Sequence, residues 1–221
     1  MTDITYSGII NFIQYVVDWN EVILDKDASI ESRMELQKTI TLSEVQETID
    51  AFNDNDKQEI VDGVGDVLVT AGYMIYLKEG NMNFLDYTFS FTTKDLLNEM
   101  SFESLLMVIK QEVINEHISY YNLQLLAAYV INMFGREYVV PYLNAILKSN
   151  DSKFVRMDQW DEKKEADHVE KKYKGKFDNI VGVPRKFRGE DVMLLRADFG
   201  RGKLLKPTVF VEPTDILVYN A

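Results

Sequence analysis

The run from Leu42 to Tyr76, LSEVQETIDAFNDNDKQEIVDGVGDVLVTAGYMIY, most narrows what this chain can fold into, because it sets carboxylates beside apolar residues on two successive helical patterns. Glu44 and Glu47 are three apart on the first; Glu59, Asp62 and Asp66 make one stripe on the second. Carboxylates brought together and partly dried repel one another, and are tolerated mainly around a hard cation such as Mg²⁺. Between them NDNDK supplies turn formers, so the first helix should fail near Phe52 and the second restart at Gln58 or Glu59. A calcium loop is excluded there: Gln58 and Glu59 stand where its glycine is needed, and Gly65 takes the place of its bidentate glutamate. Gly63 and Gly65 each cost about 1 kcal/mol of helix propensity. They imply close approach of a ligand or, more simply, of a neighbouring helix.

With 221 residues, 46% of them hydrophobic, the chain can bury a sizeable core as one domain with a smaller appendage. There is no cysteine and there are two histidines, His117 and His168, so a metal would be held by oxygen. A net charge of -12 disfavours nucleic-acid polymers and anionic membranes. Asp66 and Lys78 interrupt the best membrane-span candidate, and the N-terminus lacks a signal-peptide pattern, so a soluble, cytoplasmic protein is expected.

Helical spacing of Ile9, Ile10, Phe12, Ile13, Val16, Val17 and Val22 predicts a first helix over Thr5 to Ile23, with Trp19 in the core rather than on a ligand ring. Ser29 should cap the next helix, and Ser101 one beginning near Phe102. Further helices should run from Tyr120 to Phe134, stopped by Gly135, and from about Glu137 to Leu147. Asn83 to Phe91 reads as an aromatic-rich connection, and His117 as a surface or interface residue. Asp158 to Lys176 should be a solvated helix, with Trp160 and Val169 on its drier side and His168 in solvent. Strand-like runs at Asn179 to Val183, Asp191 to Leu195 and Leu204 to Val211 predict a small hairpin or three-stranded flap.

The pattern Glu44-x-x-Glu47, a turn, then Glu59-Ile-Val-Asp62-Gly-Val-Gly-Asp66 resembles the core of the MazG-like all-α nucleoside triphosphate pyrophosphohydrolases, whose generic form is EExxE, a spacer and ExxD. Ser43 stands where the first acid of EExxE is expected, and Asp62 stands one residue before Gly63, a position that often carries Glu. The resemblance implies Glu44, Glu47, Asp62 and Asp66 as ligands of Mg²⁺, or Mn²⁺ in its place. It implies Glu47 and Glu59 as catalytic acids, Glu59 being a direct ligand, a support for one, or a general base.

Two later stretches are similar to the phage-type branch of that superfamily: Ser149-Asn150-Asp151-Ser152-Lys153, and Lys203-Leu-Leu-Lys206-Pro207 followed by Phe210, Pro213 and Asp215. By this resemblance Asn150, Lys153, Lys203 and Lys206 are substrate-binding. A triphosphate needs such positive charge beside a carboxylate cluster, although lysines of this kind also serve simply to solvate a turn. The expected protein is mainly α. Residues 1–150 would form an antiparallel four-helix-bundle-like core with a helical insertion from about 80 to 146, and 151–221 a charged helix and small β-rich hairpin region. The resemblance implies cleavage of a (d)NTP between its α and β phosphates, in a homodimer or homotetramer, in a host cytoplasm if phage-encoded. The competing expectation is a noncatalytic nucleotide-binding or protein-interaction protein on the same bundle.

Overall fold

A computed structural model describes residues 4–24, 28–81, 100–200 and 203–218, with backbone alone at 4–11, 200 and 218. The connection expected over Asn83 to Phe91 and the side chains of Ile9 and Ile10 therefore lie outside the described residues. Among the described residues eight α-helices and three strands follow one another: α1 (Ile4–Ile23), α2 (Ile30–Asn53), α3 (Lys57–Glu79), α4 (Phe102–Ile114), α5 (Tyr120–Phe134), α6 (Arg136–Asp151), β1 (Phe154–Arg156), α7 (Glu162–Tyr173), β2 (Val181–Phe187), β3 (Glu190–Arg196) and α8 (Pro213–Val218). The protein is mainly helical with a small antiparallel sheet near its end.

Helix starts follow their caps. Ser29 accepts from Ser32 N at 3.2 Å and Ser101 from Ser104 N at 3.1 Å. Asp56 ends the NDND turn by accepting from the amides of Gln58 and Glu59, so α3 begins one residue before the sequence indicates. Asn55 takes the left-handed conformation that such a turn needs, φ 57°. α5 ends at Gly135 as the sequence indicates.

The chain divides into two compact units, one of residues up to Val17 with Ala28–Asn144, the other of Asp18–Asp27 with Ala145–Ala221. In the first unit α2 lies against α3 and α4, α3 against α5, and α4 against α5. From Ile60 to Leu77 every residue of α3 is buried except Asp62, Asp66 and Tyr76. α3 is long and apolar enough to cross a membrane, contrary to the expectation that its charges would disqualify it, but 78% of its most apolar stretch is buried inside the protein.

At Gly63 α3 comes close against α2. A Cβ there would meet Thr48 Oγ1, with Thr48 Cβ at 3.2 Å and its Cα at 3.3 Å. A neighbouring helix, rather than a ligand, therefore accounts for this glycine.

In the second unit β3 is the central strand, in the order β1-β3-β2. Val183 pairs with Leu194 and Phe154 with Leu194 on the other side. The third strand is thus Phe154–Arg156 and not Leu204 to Val211. That run holds Pro207, which has no ladder donor, and only Leu204 forms a bridge, to Arg196. The charged helix is shorter than expected. Trp160 lies before it and packs with Tyr173 and Phe177 against Val169, Leu195, Ala197 and Leu205. His168 is half-buried rather than solvated, its Nε2 enclosed without a hydrogen-bond partner among the described residues.

Thr48 cannot swing away from Gly63 at little cost: it is β-branched, and its hydroxyl donates to Glu44 O at 2.7 Å. Gly63→Ala should therefore lower stability by about 1–2 kcal/mol despite its better helix propensity. Urea unfolding checks this, and an unchanged or higher midpoint would contradict the close crossing.

Candidate active site

One cavity of about 330 Å³ is lined by Glu44, Glu47, Asp50, Ala51 and Asp54 of α2 and the turn, and by Asp56, Glu59, Asp62, Gly63 and Asp66 of the turn and α3. All five carboxylates singled out from the sequence lie there, and three more join them. The volume is at the lower end of small-molecule sites. Asp62 and Asp66 interrupt the buried face of α3 and are half-buried, as is Glu44, whereas Glu47, Asp50, Asp54, Asp56 and Glu59 are exposed. The helix period and the Gly63 crossing thus turn both acidic stripes toward one space.

Ser43, at the position where the family pattern has an acid, donates from its hydroxyl to Glu47 Oε1 at 2.8 Å. Gln46 donates to Asp50 at 2.9 Å and accepts from Lys110 at 2.8 Å. The α2 face is therefore held by neutral and positive donors.

α6 contributes two residues that periodicity did not reveal, Tyr138 and Tyr142, whose rings are 6.1 Å apart. Burial raises the phenol pKa of Tyr142, and the charges of Asp62, Tyr138, Glu59 and Asp66 raise it further. Burial likewise raises that of Tyr138, with Asp56 adding to it. Both stay protonated at neutral pH and remain hydroxyl donors. In sequence they look like ordinary core aromatics; only their i, i+4 spacing, which aligns them on one helix face, hints otherwise.

The donor set fits a hard divalent cation: every lining side chain that can coordinate offers carboxylate oxygen, and no imidazole or thiolate competes. Among the described residues, however, no three Asp, Glu or His side chains are already arranged as a metal set. Binding would require the lining carboxylates to draw closer together.

The other proposed residues belong to the second unit. Lys153 donates to Asn150 Oδ1 at 2.8 Å, and its ammonium lies 5.2 Å from the Trp19 ring. Trp19 is buried and donates to Asn150 O at 3.2 Å, the core role expected of it. Lys206 pairs with Glu212 at 2.8 Å and sits 4.2 Å over Phe210, and Lys203 is exposed. The two sequence stretches meet in this unit, because Val211 N donates to Ser152 Oγ at 3.0 Å. A residue not singled out, Glu165, is 1% exposed and accepts from Thr208 N at 2.8 Å and Thr208 Oγ1 at 2.5 Å, fixing the loop that follows Lys206. His117 is exposed, with Nδ1 3.0 Å from Lys78 Nζ and away from the acidic cavity's lining.

Comparison with models of known families, with characterised proteins and with solved structures finds no match.

Like charges on adjacent helical turns cost a few tenths of a kcal/mol each, so Asp66→Asn should stabilise the cation-free protein by roughly 0.5 kcal/mol. Mg²⁺ should raise the Tm of the wild type more than that of the variant. Equal shifts, measured by calorimetry with and without EDTA, would argue against a cation at this cavity.

Proposed function

We propose that the chain is a Mg²⁺-dependent nucleoside triphosphate pyrophosphohydrolase with a MazG-like, four-helix-bundle-like core. The observation that carries this reading is the acidic cavity on which α2 and α3 converge. The neighbour relations of α2, α3, α5 and α4, which close on themselves, support the bundle.

In this reading water attacks the α-phosphorus, a new P–O bond forms as the bond to the bridging oxygen breaks, and pyrophosphate leaves with that oxygen. Glu59 or Glu47, both exposed to the cavity, accepts the proton of the attacking water. Glu44, Glu47, Asp62 and Asp66 would hold Mg²⁺, which when bound would supply charge compensation for the phosphates and acidify water. Asn150, Lys153, Lys203 and Lys206 bind substrate by the resemblance of their two stretches. Homodimeric or homotetrameric assembly, a cytoplasmic setting and a phage source belong to the same proposal.

A second reading, a noncatalytic nucleotide-binding protein, is favoured by one observation: a serine hydroxyl occupies Glu47 Oε1, where the pattern would place another acid. Incubation with each NTP and dNTP, with Mg²⁺ or EDTA, separates the two. Monophosphate and pyrophosphate in equal amounts, abolished by EDTA, are expected; nucleotide binding without turnover across the panel would establish the second reading.

Glu47→Gln should reduce kcat at least about a hundredfold, the usual contribution of a positioned acid or base. Lys206→Ala should raise KM several-fold, on the order of one charge-assisted contact. Unchanged kinetics in either variant would remove that residue from the site.

A further inference from the structure

Lys57 is the first residue of α3 and lies between Asp56 and Glu59, both of which line the acidic cavity. The other lysines of α2, α3 and α4 bond to polar partners: Lys38 to Glu116, Lys78 to Glu116 O and His117, Lys110 to Gln46. Lys57 instead holds its ammonium 3.6 Å from the centroid of Tyr138 and 5.5 Å from that of Phe134. These rings come from the end of α5 and the start of α6, and Tyr138 begins the tyrosine pair that runs beside Asp56, Glu59, Asp62 and Asp66.

An exposed ammonium resting on half-buried rings is held weakly, by about the energy of a surface ion pair. The hold is also nonspecific in direction, so a flexible lysine stem can exchange it for an anion within a few ångströms. An outer phosphate bound over a cation-loaded cavity is such an anion, and it bears more charge than any single carboxylate at the rim. The stem is exposed, and Asp56 rather than Lys57 caps the helix, so movement of the ammonium leaves the start of α3 unchanged.

We infer that Lys57 is a polyphosphate-binding residue of the acidic cavity, stored over Tyr138 and Phe134 and transferred to a terminal phosphate of the substrate. This rests on the triphosphate reading above and adds to it a positive group within the unit that carries the carboxylates.

The test is calorimetric titration of wild type, Lys57→Ala and Lys57→Arg with Mn²⁺ alone, and with inorganic tripolyphosphate in the presence of Mg²⁺. Lys57→Ala is expected to bind tripolyphosphate about tenfold more weakly, the loss of one charge-assisted contact. Mn²⁺ affinity should be unchanged or higher, and Lys57→Arg should retain most of the anion affinity. Equal tripolyphosphate affinity in wild type and Lys57→Ala would overturn the inference alone, leaving the carboxylate site standing. Absence of tripolyphosphate binding by the wild type would overturn both.

Discussion

The contact between Thr48 and Gly63 is the constraint on which the first unit depends. Without a side chain at 63, α3 comes near enough for its backbone to meet a β-branched residue of α2. Had the helices stood further apart, Glu44 and Glu47 would still form a stripe and so would Asp62 and Asp66, but they would border no common space. The turn reinforces the crossing, because the carboxylate that caps α3 also belongs to the cavity wall. One acid thus does local and tertiary work together, and its charge lies near the positive end of the α3 dipole, where it is most easily accommodated.

The second unit reaches its order differently. Its sheet is small, and much of the chain after β3 is secured by single side-chain contacts to α7 and to Ser152, which follows α6. Glu165 shows how far this goes. On a helix whose other acids face water, it is buried, and the amide and hydroxyl of Thr208 meet its two oxygens. Burying a carboxylate is unfavourable unless donors meet it, and here they do.

Helices were the most legible part of the sequence, because caps and stops are local chemistry. Ser29, Ser101 and Gly135 act where their types suggest, and the 3.6-residue period correctly identifies the buried face of α3. The acidic stripes were legible for the same reason. That they share a cavity was only implied, since facing is a tertiary fact that a stripe on one helix does not contain. Three residues are too few for Phe154–Arg156 to stand out as a strand, whereas Leu204 to Val211 is long and apolar enough to read as one and is prevented from pairing by Pro207 and the turn from Pro207 to Phe210. Tyr138, Tyr142 and Glu165 were illegible because each resembles its commonest role: two core aromatics and one solvated acid.

The attachments of the last loop also govern how it comes apart. The amide of Lys206 is held by the hydroxyl of Tyr173, that of Thr208 by Glu165, and that of Val211 by Ser152, two side-chain oxygens at the two ends of α7 and one just after α6. A strand bound along a ladder loses its pairings in register, each release loosening the next. Here the fastenings are independent, so the loop can open over one or two residues while its neighbours stay protected from exchange. Its motion is therefore divided into small local steps, and the loop around Lys206 can rearrange without unfolding the sheet from which it emerges.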